Sequence, residues 1–250
     1  MRSNASFANN RVCQIYLLGA DAPTVYKSDS VWSHELGTKN KIGDGRADVM
    51  ASVFRIDWSN IQSLIFMPTC GNIYTNNLGK AISPGGDVEL HAQLVRRLTL
   101  SASAGYTDAH NTEATTRIRG GGTVMLAADG AKFAIPKISG SAALYYEHAL
   151  FGTGHDGYLN IAWDYASSYE RNPPAGVCGA DPGTTHAEVV QSLSARFGAR
   201  FSGFNVSMLA DNLTNAHPEL PRYLETTASG VFRGRTLRPR TLGIAATYAF

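Results

Sequence analysis

The sequence predicts an all-β protein: an antiparallel, up-and-down transmembrane β-barrel segment, about nine strands of an incomplete barrel. Three observations predict it. Hydrophobic residues alternate with small or polar ones in one run after another. Short and long connections between those runs alternate along the chain, a pattern of up-and-down membrane barrels and not of sandwiches. Charge is sparse, at 17% of 250 residues against 44% hydrophobic, where globular domains average about 25% charged.

The bulk numbers exclude other classes. A net charge of +2 is too small to point to nucleic acid. The mean hydropathy is −0.14, and no run approaches the ~18 apolar residues of a membrane helix. A helical membrane protein is thereby excluded. A barrel is not, because its strands hide their apolarity by alternation. Cys13, Cys70 and Cys178 are too few and too scattered for a zinc ribbon or a disulfide framework. They are expected to be unpaired or paired only in part. Cys70 and Cys178 both fall in predicted outer loops, where an oxidising compartment would allow a bridge.

Residues 1–29 carry no clear period and read as a loop remnant before the barrel strands, with one short strand at Val12–Leu17. No signal peptide is visible, since Met1-Arg2-Ser3-Asn4 leads into polar residues. A secreted envelope protein carries one, so the chain is expected to be a piece of a longer protein. Residues 30–250 form the barrel region. Its first strand is Val31–Lys39, with Trp32, His34, Leu36 and Thr38 on one face. Gly43-Asp44-Gly45 makes a tight turn. The next strand runs over Ala47–Asn60. Met50, Phe54, Ile56 and Trp58 are expected on its lipid face, and Arg55 and Asp57 on its lumen face.

Val88, Leu90, Ala92 and Leu94 alternate with Glu89, His91 and Gln93. Leu98–Asp108 is the cleanest strand: Leu98, Leu100, Ala102, Ala104 and Tyr106 alternate with Thr99, Ser101, Ser103, Gly105 and Thr107. The polar, glycine-rich stretch His110–Lys137 then reads as a long loop. Four strands follow, at Ile138–His148, Tyr158–Ala166, Val189–Phe201 and Phe204–Asn212. A further, terminal stretch, Leu237–Phe250, alternates up to the final residue. Leu242, Ile244, Ala246, Tyr248 and Phe250 share one face; the other holds Thr241, Gly243, Ala245, Thr247 and Ala249. Such a strand suits a wall between lipid and a watery lumen, or the edge of a soluble sandwich.

Several of these stretches carry a resemblance. Asp211-Asn212-Leu213-Thr214-Asn215, a loop, Arg238-Pro239-Arg240-Thr241 and then an alternating strand ending in Tyr-x-Phe resemble the C-terminus of TonB-dependent outer-membrane receptors. Glu35-Leu36-Gly37-x-Lys39, Phe54-x-Ile56-Asp57-Trp58 and Asn60-Ile61-Gln62 resemble the same family. So does Asn77-x-Gly79-x-Ala81, followed by Gly86, Val88 and Glu89. Asp87 intrudes in that last motif and is read as a bulge. Ala245 and Ala246 also depart from the family, which often has glycine and a larger apolar residue there.

The resemblance covers about Asp29 to Phe250. It implies the C-terminal part of a siderophore-receptor-like barrel in the outer membrane of a Gram-negative cell, with a periplasmic C-terminus. It implies active uptake of an iron chelate or similar scarce ligand. It implies as partners the outer-membrane bilayer, the barrel-assembly machinery and, only through a missing N-terminal plug, the TonB complex. Tyr248 and Phe250 would form the assembly signal. Alone, without a plug, the chain is expected to be inactive. A passive porin-like or secretion barrel, or a soluble β-rich binding protein, are the alternatives.

Little else carries chemistry. The seven histidines show neither i,i+4 helical spacing nor a His-Glu-x-x-His motif. There is no Gly-x-Ser-x-Gly elbow, and Gly120-Gly121-Gly122 lacks the lysine of a phosphate loop. No enzymatic activity, cofactor or nucleic-acid partner is expected. Arg117 and Arg119 in the long loop are the candidate ligand contacts, through bidentate bonds to an anion. Arg55, Asp57, Glu89, His91, Arg196 and Arg200 are expected on the lumen wall.

Overall fold

Nine long strands run in chain order across one sheet in the computed structural model. They are β1 (Ser30–Ile42), β2 (Ala47–Ser59), β3 (Lys80–Val95), β4 (Leu98–Thr107), β5 (Ile138–Leu150), β6 (His155–Ala166), β7 (Val190–Phe201), β8 (Phe204–Asp211) and β9 (Thr241–Tyr248). Every neighbouring pair is antiparallel. A two-residue strand, His110–Asn111, also pairs with the start of β3. The structure describes residues 2–3, 25–67, 72–119, 122–150, 155–170, 186–224 and 232–249. Val12–Leu17, Cys13, Cys70, Cys178 and Phe250 lie outside them.

Two of the short connections are built from residues that tolerate a left-handed backbone. Gly43, Asp44 and Gly45 all have positive φ, at 62°, 57° and 83°, and Arg46 N–H donates to the Gly43 carbonyl. Ser202 (44°) and Gly203 (81°) join β7 to β8. Two positive φ values match the twist of the flanking strands in a two-residue hairpin loop. The long connections leave the opposite end of the sheet.

Those long connections contain short paired strands. Gln62–Met67 pairs with Asn72–Asn77, Thr115–Arg119 with Gly122–Ala127, and Leu220–Leu224 with Phe232–Arg235. The stretch His110–Lys137, expected to be loop, therefore holds an antiparallel arm near the glycine run. Within the expected loop remnant, Val25–Tyr26 pairs with Arg2–Ser3.

The register fixes which side chains share a face, because opposed residues in an antiparallel pair point the same way. Val49, Leu90, Ala102, Ala142, Trp163 and Leu193 form one continuous row. Lys39, Met50, Glu89, Ser103, Ser141, Asp164 and Ser192 form a row on the other face. No second layer covers either face among the described residues. Leu36 is 75% exposed, Met208 62% and Ile244 76%, and all three lie on the apolar face.

Two expectations are corrected here. Arg55 and Asp57 lie on the apolar face, because Arg55 opposes Pro84 and Asp57 opposes Ile82, in the parity of Val88 and Leu90. Met50, Phe54, Ile56 and Trp58 belong to the polar face. β2 is apolar on both parities, so alternation within it could not choose; pairing with β3 does. The expected bulge at Asp87 is also absent. Ser52 opposes Asp87 in unbroken register, and the irregularity falls between Gln93 and Val95, in the pairing with β4.

Candidate functional site

The sheet is a wall with two unlike surfaces. On the apolar face, aromatic side chains gather near both ends of the strands. Toward the long connections stand Trp32, Tyr106 and the stacked pair Trp163 and Tyr165, 5.6 Å apart. Toward the short turns, Phe204 lies 6.0 Å from Phe201 and 4.6 Å from Tyr248. Eight residues separate Phe201 from Leu193, the partner of Trp163. That is about 27 Å along a strand, comparable to the ~25 Å apolar band of a membrane barrel between its aromatic girdles.

The apolar face carries one ion pair within its strands. Arg55 Nε and Nη2 donate to the Asp57 carboxylate at 3.0–3.2 Å. Arg55 sits one outward position beyond the row of Val53, Gly86 and Tyr106. Asp57 opposes Trp32, so the pair lies at the level of the aromatic rim, toward the long connections. Mid-bilayer it would be costly.

The polar face carries Glu35, Lys39, Asp87, Glu89, His91, Glu147, Asp164, Arg196 and Arg200. Near the short turns these groups form a bonded lattice. Arg200 donates to Glu147 Oε1 at 3.1 Å and to the Tyr145 hydroxyl at 3.0 Å, and that hydroxyl donates to Glu147 at 2.6 Å. The Arg200 guanidinium also lies 4.8 Å from the centre of the Tyr158 ring, within cation–π range. Tyr158 donates to Asn205 Oδ1 at 3.0 Å. Its ring packs against Gly198, where a Cβ would stand 2.5 Å from the tyrosine Cζ. Arg196 donates to the buried Ser207 hydroxyl, and His91 Nδ1 bonds Ser101 at 3.0 Å.

At the long-connection end, a recess of about 420 Å³ opens among Asp108, Lys132, Phe133, Lys137, Tyr169 and His186. Lys137 Nζ lies 2.6 Å from Asp108 Oδ1. This contact holds the Asp108 carboxyl below its ordinary value and raises Lys137, which is raised further by its bond to Lys132. Lys132 is lowered, chiefly by the neighbouring Lys137. Lys137 thus pairs with the carboxylate at the mouth, and Lys132 stands beside Lys137. Nothing in the sequence marked this cluster, because its members are spread over Asp108–Lys137 without a period.

The candidate arginines fall on the nearby arm. Arg117 opposes Val124 and Arg119 opposes Gly122, so both belong to a strand and not to an irregular loop. Their side chains lie outside the described features. Tyr248 is 54% exposed on the apolar face. The Asp211–Asn215 motif proves to be a clamp. Asn212, 4% exposed, donates to the carbonyls of Ala216 and Arg238 and accepts from Ala216 N–H, all at 2.9 Å. Asn215 accepts from Arg240 N–H at 3.0 Å. The motif thereby carries the chain back to start β9 beside β8. Asn77 has a similar place, donating to the Lys27 and Asn60 carbonyls ahead of β3.

Comparison with known proteins agrees with this wall. Residues 14–213 match the family model described as TonB dependent receptor-like, beta-barrel. No curated protein sequence matches the chain. Among solved structures, the siderophore receptor PiuA from Acinetobacter baumannii is 16% identical with a TM-score of 0.62, over 86% of this chain and 28% of its own. The ferric yersiniabactin uptake receptor FyuA from Yersinia pestis is 12% identical with a TM-score of 0.65, over 88% and 30%. The copper transporter OprC is 15% identical with a TM-score of 0.64, over 89% and 31%.

The chain belongs to the TonB-dependent receptor β-barrel family. It is a partial, non-enzymatic barrel wall of the Gram-negative outer membrane. It spans under a third of the length of the solved structures it matches.

Proposed function

We propose that this wall belongs to a receptor for active uptake of a scarce, anionic iron chelate of the siderophore class. The match over residues 14–213 to the receptor-barrel family carries the proposal. The neighbours named as siderophore and ferric yersiniabactin receptors support the ligand class. The pair Lys132–Lys137 and the arm bearing Arg117 and Arg119 put positive charge at the same end of the barrel. Anionic groups are well met there by charge-assisted hydrogen bonds.

In this reading the long connections face outside and the short turns, with the C-terminus, face the periplasm. A plug supplied by the rest of the receptor fills the lumen and couples it to the TonB complex. The assembly machinery recognises the terminal strand at Tyr248 and Phe250. The chain is inactive without the plug.

Uptake of radiolabelled ferric chelates by cells expressing the full-length receptor tests the proposal. Energy-dependent accumulation of iron is expected. The copper transporter among the neighbours names the competing result: accumulation of copper without iron would overturn the ligand class. Arg117→Ala with Arg119→Ala is expected to weaken chelate binding about tenfold or more, and unchanged affinity would remove these two residues from the site.

A further inference from the structure

Beyond the lumen, the apolar face carries a built recess of its own. About 600 Å³ opens at the aromatic rim near the long connections. Its floor is apolar: Trp163 and Leu193, which oppose each other in the sheet, with the buried Pro218 beside them. Its lip is polar: Gln191, Thr214 and His217. The Glu188 carboxylate at the same lip is already occupied, accepting from Glu219 N–H at 2.7 Å.

The lip is held rigidly over the floor. Leu213 N–H donates to the Leu193 carbonyl at 2.8 Å, and Asn212 fixes Ala216 through the two bonds described above. The recess is thus an open extension of the apolar face. Its floor joins the apolar face, and Gln191, Thr214 and His217 stand at the polar lip beside the Glu188 carboxylate. Aromatic residues at this level of a membrane favour such a junction of apolar body and polar tip.

We propose that this recess binds one membrane lipid of the leaflet at the long-connection end. An acyl chain lies against Trp163 and Leu193, and the oxygens of the head region accept from Gln191, Thr214 and His217. The proposal rests on the barrel-wall reading. It adds a resident lipid on the outer surface, at the base of the Asn212 clamp that positions β9.

Tryptophan quenching tests it. The full-length protein is reconstituted in bilayers containing increasing fractions of phospholipid brominated on the acyl chain near the headgroup. Trp163 emission is taken as the difference between the parent and Trp163→Phe. A bound lipid gives quenching that saturates at low bromolipid fraction. Ala216→Leu, which fills the recess, is expected to shift half-saturation upward about tenfold. Thr214→Val, which removes one donor at constant volume, is expected to shift it about fivefold.

Quenching that rises linearly with bromolipid and is the same in both variants would overturn the lipid site while leaving the barrel wall intact. No quenching at Trp163, Tyr106→Trp or Ile244→Trp would instead overturn the barrel-wall reading on which the site depends.

Discussion

Two neighbouring residues measure the wall most directly. Leu100 opposes Ala92 and Leu144, and Ser101 opposes His91 and Ala143, so consecutive side chains face opposite solvents. Leu100→Arg places a cation in hydrocarbon at a cost of about 2–4 kcal/mol, whereas Ser101→Arg stays wet. Leu100→Arg is expected to reduce the membrane-inserted fraction sharply and Ser101→Arg to leave it near that of the parent. Membrane fractionation of the full-length protein measures both; equal losses would reverse the face assignment.

Asp108 gives a second residue-level expectation, outside the membrane span. Its folded value is lowered, first by the hydrogen bond from Lys137. The stabilising contact is therefore present above the ordinary aspartate value of about 3.9 and is lost as pH falls through the lower folded value. Lys137 is raised, so its share is full below the ordinary lysine value of about 10.4 and is lost as pH rises through the folded one. Amide protection factors of residues 108–111 and 130–137, which divide out the intrinsic pH dependence of exchange, should be high and level between these limits and fall on acidification. Asp108→Asn should remove the acid-dependent step, and an unchanged step in that variant would place its origin elsewhere.

At the scale of elements, alternation found the strands and failed where both parities are apolar. β4 reads one way only, since Leu98–Tyr106 alternates with serine, threonine and glycine. In β2, Val49, Ala51 and Val53 balance Met50, Phe54 and Ile56, and only the bonded neighbour β3 breaks the tie. The hairpin arms went unseen because their strands run only four to six residues, too short to show a clear period. The Asn212 clamp was visible as a motif but not as a mechanism, because its acceptors at Ala216 and Arg238 span a long connection. The mouth cluster had no sequence signal, since the topology alone brings Lys137 to Asp108.

The β6–β7 pair offers an element-level test. Tyr158 covers Gly198 so closely that Gly198→Ala must push the ring away from Arg200 and Asn205. A cost of about 1–3 kcal/mol is expected, as for overpacking a fitted contact. In a Tyr158→Ala background the same substitution should cost under about 0.5 kcal/mol, because the two residues share one space. Urea-unfolding midpoints in bilayers give the four corners of the cycle; additive costs would show that the ring and the glycine do not depend on each other.

At the scale of the molecule, the described sheet ends in two strands that do not pair with each other. β1 and β9 each have one bonded neighbour. Unpaired edges cannot stay open in hydrocarbon, where unmet backbone groups cost several kcal/mol each. In the proposed reading, closure through further strands is what assembly must achieve, and β9 is one of the two edges open to it. The aromatic stack of Tyr248 on Phe204 anchors that strand at the short-turn rim, and Phe250 follows two residues later on the same parity. Deleting Phe250 is therefore expected to lower the amount of full-length receptor in the outer membrane, while molecules that do insert bind their ligand with unchanged affinity. Quantitative immunoblotting of outer-membrane fractions, paired with a binding isotherm on the inserted protein, reads the two quantities separately. Normal abundance with weakened binding would contradict both the periplasmic placement of this rim and its role in assembly.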